Sequence, residues 1–259
     1  MKFTGERLVP KDKICGPETE IFKEHIERYE FACKFINNKE NVLDIACGVG
    51  YGTLLIAKNT SGDVYGCDVS NDAIDYARKN YEAKNVTFEV MDATSLSFPE
   101  KYFDCVVSFE TLEHLTNYDK AIMEFSRVLK DKGTLIISSP NKEVTFRHET
   151  NNEFHVNEFT REEFLKILSK YFKTTKLYSQ KLIIAPSLKE KVLKFGLSLG
   201  FKITKYDRIN LRRKLLKEGT GKKLYKSVDY SYHEPNIIPY EFNHVPQNFV
   251  AVCIEKINQ

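Results

Sequence analysis

The chain has 259 residues, of which 42% are hydrophobic and 12% aromatic, enough for the core of one large α/β domain. Its net charge of only +3 argues against a general nucleic-acid-binding protein. No apolar run reaches the roughly 20 residues that cross a bilayer, and the amino terminus lacks a signal-peptide core, so we expect a cytoplasmic protein.

The first 40 residues are predicted to form a helical segment ahead of the core, with a helix near residues 18–36. Its apolar and aromatic side chains recur at helical spacing and are expected to share one face: Ile21, Phe22, His25, Ile26, Tyr29 and Phe35. Such a helix can close over a ligand. His25, Arg28 and Tyr29 are then candidates to touch cofactor or substrate, although simple packing is the commoner role of such residues.

The most informative segment is Val42-Leu43-Asp44-Ile45-Ala46-Cys47-Gly48-Val49-Gly50-Tyr51-Gly52, a short apolar run followed by three alternating glycines. The run predicts a buried strand, and the glycines allow backbone amides to approach a ligand at the next turn. Helical composition follows, so the ligand would lie over a helix N-terminus. A dinucleotide site needs Gly-x-Gly-x-x-Gly, and Asp44 would repel a pyrophosphate but suit a cationic ligand.

Three further predicted strands end in acids: residues 64–68 at Asp68, 86–92 at Asp92 and 103–110 at Glu110. An acid after the second strand can accept hydrogen bonds from both hydroxyls of a ribose. One such acid would more often cap the next helix. Four in order, counting Asp44, favour a nucleoside site.

The rest of the core alternates as a doubly wound sheet does. Residues 120–130 are predicted as an amphipathic helix, with a turn at 131–133 before a strand at 134–138. Thr160-Arg161-Glu162-Glu163 is typical of a capping box and opens a helix to Lys170. Strands at 172–180 and 249–254 bring the count to seven. The six cysteines form no Cys-x-x-Cys pair and are expected to be reduced.

Residues 181–246 separate the sixth strand from the seventh and are far longer than a connection needs. They hold fourteen Lys and Arg against six Asp and Glu, a net of +8, which leaves −5 on the rest. We predict a helical cap. Two roles remain open, a solvated cover or a basic pocket for a phosphorylated or otherwise anionic acceptor. The predicted domains are therefore 1–40, 41–180, 181–246 and 247–259.

The glycine run and the acids after it resemble the class I S-adenosylmethionine-dependent methyltransferases, whose first motif looks like Asp-x-x-Cys-Gly-x-Gly-x-Gly. The resemblance implies an α/β fold with a doubly wound, seven-stranded Rossmann-like sheet whose last strand is antiparallel. It implies S-adenosylmethionine as cofactor and S-adenosylhomocysteine as product, with Asp68 on the ribose and Asp92 near the adenine. The implied cofactor contacts are Asp44, Ala46, Cys47, Gly48, Gly50, Tyr51, Asp68, Val69, Asp92, Ala93, Phe109 and Glu110.

Three short sequence motifs, at residues 4–10, 109–114 and 154–159, resemble those of bacterial methyltransferases of surface polysaccharides and sugars. They imply O-methylation of a small or glycan acceptor in capsule or lipopolysaccharide synthesis. Phe-Glu-x-x-Glu-His also resembles enzymes that methylate quinone-like or lipid precursors, but the +8 insert does not suit an apolar acceptor. A cofactor-binding protein without turnover and a nucleic-acid-binding module are the alternatives from other classes.

A sugar hydroxyl is a poor nucleophile at pH 7 and benefits from a positioned base. His114 follows the fourth strand and His155 the fifth, so both are predicted at the carboxyl edge of the sheet. Either is the candidate base, with Glu113, Glu158 or Glu153 to orient it.

We predict no metal. Catechol-type enzymes bind a divalent ion with clustered Asp and Asn ligands. Asp104 and Asn141 are present in this chain, but no compact ligand motif of that kind is.

Overall fold

The computed structural model describes residues 20–144, 154–184 and 244–257. The chain divides into two compact units, residues 1–178 with 248–259, and residues 179–247. Of the second unit, only strand residues 179–184 and 244–247 are described. The predicted helical cap, the sequence motif at residues 4–10 and Glu153 lie outside the described residues.

Seven strands form one mixed sheet. Their bounds are β1 Val42–Ile45, β2 Val64–Asp68, β3 Val86–Val90, β4 Phe103–Ser108, β5 Leu129–Pro140, β6 Phe172–Ile184 and β7 His244–Lys256. The order across the sheet is β3-β2-β1-β4-β5-β7-β6. Strands β1 to β5 pair in parallel, and β7 runs antiparallel to β5. The predicted doubly wound sheet with an antiparallel last strand is confirmed.

The strand order reverses between β1 and β4. These strands are parallel neighbours, with Asp44 beside Val107, so their carboxyl ends lie at the same edge. The chain leaves them toward opposite sides of the sheet, which opens a crevice where ligands of such folds bind. The glycine loop after β1 and residues 109–114 after β4 border this crevice.

Helices cover the sheet, and their starts follow from local caps. Their bounds are α1 Glu20–Cys33, α2 Tyr51–Ala57, α3 Asn71–Asn80, α4 Tyr118–Val128 and α5 Arg161–Leu168. Ser70 and Asn117 accept side-chain cap bonds at the starts of α3 and α4. At α5 both bonds of the predicted capping box form between Thr160 and Glu163.

The core between the sheet and its helices is rich in phenylalanine. Phe103, Phe125 and Phe164 are fully buried, and Phe164 stacks on Phe249 with ring centroids 6.1 Å apart. Each such side chain contributes about 1.5–3 kcal/mol by leaving water. Among the described residues no helix is long and apolar enough to cross a membrane.

Several predicted boundaries were wrong. Helix α4 ends at Val128 rather than Lys130, and β5 begins at Leu129, so the predicted turn at 131–133 lies within a strand. The reason is an irregular pairing. Phe103 pairs with Leu129 but Cys105 pairs with Thr134, so residues 130–133 bulge opposite the single residue between them.

Strands β6 and β7 also extend into the segment predicted to lie outside the sheet, since β6 runs to Ile184 and β7 begins at His244. In α1, Ile21 is 57% exposed and does not join the predicted apolar face. That face instead carries the buried polar residues Glu24 and Arg28 beside Phe22 and Tyr29.

Candidate active site

The glycine loop after β1 combines two kinds of glycine. Ala46, Gly48 and Gly50 all have positive φ, at 61°, 56° and 89°. A Cβ on Gly50 would lie 2.8 Å from Ala77 and from the Phe88 ring, so this glycine packs the loop against α3 and β3. A Cβ on Gly48 would meet nothing within 4 Å. Gly48 therefore borders open space at the edge where a ligand is expected.

Asp68 ends β2 and faces the same loop. Its Oδ2 accepts the Gly48 N–H at 2.9 Å, and its Oδ1 accepts the Ser70 N–H at 2.9 Å. Asp68 is only 7% exposed, but it is bonded to Gly48, which borders the open space, and a carboxylate at the end of the second strand fits a ribose with two hydroxyls. The residues present therefore fit the nucleoside half of S-adenosylmethionine.

Asp44 holds two helices to β1. It is 1% exposed, and its Oδ2 accepts the Thr53 hydroxyl of α2 at 2.6 Å. The Tyr29 hydroxyl of α1 donates to Oδ1 at 3.2 Å. Burial raises the pKa of Asp44 to about 7 although both hydroxyls oppose the rise. Asp44 thus orients the loop through these two hydroxyls.

Other predicted cofactor contacts have varied surroundings. Cys47 is buried, and burial raises the pKa of its thiol well above the ordinary value, in keeping with a packing role. Tyr51 packs its ring on Phe22, with centroids 5.0 Å apart. Val69 is exposed and Ala93 buried. The contacts of these residues with a cofactor remain predictions.

Asp92 lies in a turn just past the end of β3. Its Oδ1 accepts both the N–H and the hydroxyl of Thr94, at 2.7 and 2.9 Å. This is the capping role that a strand-end acid often has. Its Oδ2 remains the candidate acceptor for the adenine amino group.

Glu110 ties four elements together just past β4, where its φ is 49°. The Ser138 hydroxyl donates to Oε1 at 2.6 Å, and Asn248 Nδ2 donates to Oε2 at 3.2 Å. Nη1 of Arg28, in α1, lies 3.5 Å from Glu110 Oε1, and the Arg28 side chain is 2% exposed. Before Glu110, the Phe109 ring meets Tyr29 edge-on at 5.1 Å.

Sequence reasoning missed three of these partners, Thr53, Ser138 and Asn248. A polar residue at the carboxyl end of a buried strand, as at Ser138, was the available signal. Nothing in the local sequence of Thr53 or Asn248 pointed to Asp44 or Glu110.

The four predicted catalytic residues come together. Glu113 and His114 lie in a 3₁₀ turn, Leu112–His114, and the Glu113 carbonyl accepts the Val156 and Asn157 N–H groups at 2.8 and 3.0 Å. These bonds bring the loop after β5 onto the turn after β4. The His114 and His155 rings consequently meet edge-on, with centroids 5.1 Å apart.

Each histidine is oriented through Nδ1. His155 Nδ1 lies 2.9 Å from Glu158 Oε1, and His114 Nδ1 lies 3.0 Å from the Phe154 carbonyl oxygen. Because a carboxylate and a carbonyl only accept, Nδ1 carries the proton in the neutral rings. The lone pair of each neutral ring is then on Nε2.

Glu113 is fully buried, and neither carboxyl oxygen has a hydrogen-bond partner among the described residues. Burial, and next the Glu110 carboxylate, raise the pKa of Glu113 well above its ordinary range. A buried carboxyl without donors is costly as an anion, so a cation is the partner that would stabilise it.

Asp104 and Asn141 do not approach each other as metal ligands. Asp104 lies near the start of β4 and pairs with Lys130 Nζ at 2.7 Å. Asn141 follows β5, at the opposite edge of the sheet, and accepts the Glu143 N–H at 3.1 Å.

Comparisons with known proteins agree with this geometry. Residues 36–195 match the family described as a methyltransferase domain. A probable S-adenosylmethionine-dependent methyltransferase of Mycobacterium tuberculosis is 32% identical over 173 residues, which cover 65% of this chain and 60% of that relative. Phosphoethanolamine N-methyltransferase of Triticum aestivum is 32% identical over 109 residues, 40% of this chain and 22% of that protein. YcgJ of Bacillus subtilis shares the fold, with a TM-score of 0.58 at 17% identity over 90% of this chain and 100% of that one.

The sheet order, the glycine loop and the acid after β2 define a Rossmann-like, nucleoside-binding α/β domain. The family match covers more than half of the chain, so the protein belongs to the methyltransferase domain family, in the class I S-adenosylmethionine-dependent group. The predicted class and cofactor are confirmed. The chain spans about 60% of the length of the mycobacterial relative, and none of these relatives is named for polysaccharides.

Proposed function

We propose that this protein is an S-adenosylmethionine-dependent O-methyltransferase that acts on a sugar, a nucleotide-activated sugar or another phosphorylated acceptor in surface glycan synthesis. The observation that carries the proposal is the cluster of Glu113, His114, His155 and Glu158. It lies after β4 and β5, at the sheet edge that holds the glycine loop.

The cofactor half of the site consists of Asp68, Gly48 and their neighbours. When bound, S-adenosylmethionine supplies a methyl group whose bond to sulfur breaks, leaving the electron pair on sulfur, as the acceptor oxygen forms the new bond. In this proposal Asp68 holds the ribose and the nucleoside lies beside Gly48, supported by the Gly48 N–H bond to Asp68 and by the open space next to Gly48.

The acceptor half must remove the hydroxyl proton. With Nδ1 tied to Glu158, His155 can receive that proton on Nε2. The Glu158 carboxylate then stabilises the imidazolium that forms. Proton transfer to a positioned base typically contributes about 10²–10⁴-fold in rate.

The charge of the chain supports an anionic acceptor. Residues 181–246 carry +8, and the wheat relative is named for phosphoethanolamine, a phosphorylated small molecule. Arg and Lys recognise phosphate by charge-assisted hydrogen bonds. An apolar quinone or lipid precursor has no negative group that these Lys and Arg side chains could bind.

N-methylation of a phosphorylated amine is the second candidate, favoured by the same wheat relative. A primary amine, whose ordinary pKa is about 10, must also lose a proton before it attacks. The cluster serves either chemistry, so the acceptor series has to separate them.

The test is methyl transfer followed by mass spectrometry, with nucleotide-sugars, sugar phosphates and phosphoethanolamine as acceptors. We expect turnover on a hydroxylated, phosphorylated acceptor, abolished by removal of its phosphate and reduced at least about 100-fold by His155→Asn. Glu162→Gln, an exposed carboxylate of α5, serves as the control with unchanged turnover. Methylation of phosphoethanolamine alone would establish the second candidate. S-adenosylmethionine binding without turnover on any acceptor would instead indicate a non-catalytic protein.

A further inference from the structure

We propose that Glu113, His114 and His155 bind a divalent first-row transition-metal ion at the acceptor edge of the site. One ligand atom from each of the three side chains lies within 4.8 Å of the others. The ligands come from two loops, the turn after β4 and the loop after β5, which the bonds to the Glu113 carbonyl hold together.

The Glu113 carboxyl is the first reason to place a cation here. Both of its oxygens are buried without a hydrogen-bond partner among the described residues, and the carboxyl contributes one ligand atom to the cluster. Native proteins rarely leave a buried carboxyl in that condition, and an ion is one of the recognised explanations.

The orientation of both histidines is the second reason. Metal-binding histidines characteristically donate their other ring N–H to a carboxylate or a backbone carbonyl, which fixes the ring and its tautomer. His155 meets Glu158 in this way and His114 meets the Phe154 carbonyl. The tautomer that these contacts select presents Nε2 as the ligand atom.

The ligand types select the class of ion. Two imidazoles and one carboxylate suit zinc and its first-row neighbours, whereas magnesium and calcium prefer oxygen ligands throughout. Bonds of about 2.0–2.2 Å place ligand atoms roughly 3–3.5 Å apart, so binding requires the three side chains to close by rotation. Three protein ligands leave at least one coordination position open, as in catalytic zinc sites.

The role of the ion deepens the proposed function and rests on it. An acceptor hydroxyl in the open position would lose its proton to water more readily, because a bound divalent ion lowers the pKa of a coordinated hydroxyl. With the ion bound, His155 would be a ligand, so the ion would assist loss of the hydroxyl proton in place of the base role given to His155 above. The proton balance is unchanged, since one proton leaves for each methyl transferred.

Binding can be measured without an acceptor. Chelator-treated full-length protein would be titrated with ZnCl₂, MnCl₂ and MgCl₂ by calorimetry, and with CoCl₂ by visible absorption. We expect one zinc and one cobalt ion per chain, with little heat from magnesium. Glu113→Gln and His155→Asn should each weaken zinc binding at least tenfold. Glu158→Gln should weaken it roughly 10- to 100-fold through the orientation of His155. Glu162→Gln should leave it unchanged.

S-adenosylhomocysteine binding and far-UV circular dichroism, measured on the same variants, show that each is folded. A wild type that binds no zinc or cobalt stoichiometrically would overturn the proposal. So would binding that Glu113→Gln and His155→Asn leave intact, because the ion would then be elsewhere. If no acceptor in the methyl-transfer assay is methylated but zinc still binds, the O-methyltransferase proposal would be wrong and the metal-site proposal would remain supported.

Discussion

The hydroxyl of Tyr29 donates to the carboxyl of Asp44 at 3.2 Å, across fifteen residues of sequence. This contact joins α1 to the strand that precedes the glycine loop. The Tyr29 ring also fills the space beside Gly52, where a Cβ would overlap the ring. The amino-terminal helix therefore packs directly against the strand and the glycine loop that follow it.

The variant Tyr29→Phe removes the hydroxyl that donates to Asp44 and so tests this contact. Loss of one buried hydrogen bond should lower the free energy of unfolding by about 1–2 kcal/mol and should further raise the pKa of Asp44. Urea unfolding at pH 6 and pH 8 measures both effects, since the destabilisation should be larger at pH 8. Equal stability of the variant and the wild type at both pH values would contradict the contact.

The free energy of unfolding should depend on pH through the protonation of Asp44. Its pKa rises from about 3.9 in the unfolded chain to about 7 in the folded protein. Folding thus favours the protonated acid, so this stabilisation is complete below pH 4 and is lost as the pH rises through 7. The loss is at most about 4 kcal/mol.

Asp44→Asn should flatten the stability curve between pH 4 and 7, and Asp63→Asn, an exposed acid nearby, should not. Glu113, whose pKa is also raised, should retain a residual slope of the same sign in Asp44→Asn. A wild type that grows more stable across this range would show that Asp44 is not buried as described.

Gly48 and Gly50 form a matched pair of test positions. Gly50→Ala places a Cβ against Ala77 and Phe88, so we expect loss of several degrees in Tm. Gly48→Ala meets open space and adds only the strain of a positive φ, about 1–2 kcal/mol. Because that space is where the nucleoside should lie, Gly48→Ala should weaken S-adenosylhomocysteine binding at least tenfold. Unchanged affinity of Gly48→Ala for S-adenosylhomocysteine would show that the cofactor does not bind beside this loop.

Asp68→Ala should weaken S-adenosylmethionine binding by about 1–3 kcal/mol, roughly 5- to 150-fold, through loss of a charged hydrogen-bond acceptor. Calorimetry on the wild type, on Asp68→Ala and on Glu82→Ala measures it, the last being an exposed acid after α3. Equal weakening in both variants would mean a general charge effect instead of a ribose contact.

Arg28 and Glu110 should be coupled in stability. Arg28→Met leaves Glu110 without its cation, so we expect about 3 kcal/mol of destabilisation. A double-mutant cycle with Glu110→Gln should give a coupling of about 1 kcal/mol or more. Additive effects would show that the 3.5 Å separation carries no interaction.

The local sequence determined the elements and the class of this protein. Alternating glycines after a short apolar run, acids at the ends of successive strands and the capping box at Thr160 depend on near neighbours and on backbone geometry. Short-range patterns of this kind predict strands, helix starts and the cofactor loop. The bulge in β5 was missed because it depends on pairing with β4, which no pattern within residues 129–134 encodes.

The tertiary structure alone decided which side chains share a site. His114 and His155 are forty-one residues apart in the chain, and only the bonds from Val156 and Asn157 to the Glu113 carbonyl make their rings neighbours. The same holds for Arg28 and Asn248, which are far from Glu110 in the sequence. In the folded chain Arg28 forms an ion pair with the Glu110 carboxylate and Asn248 donates a hydrogen bond to it. Electrostatics between such groups depends on distance and on exclusion of water, and chain folding sets both.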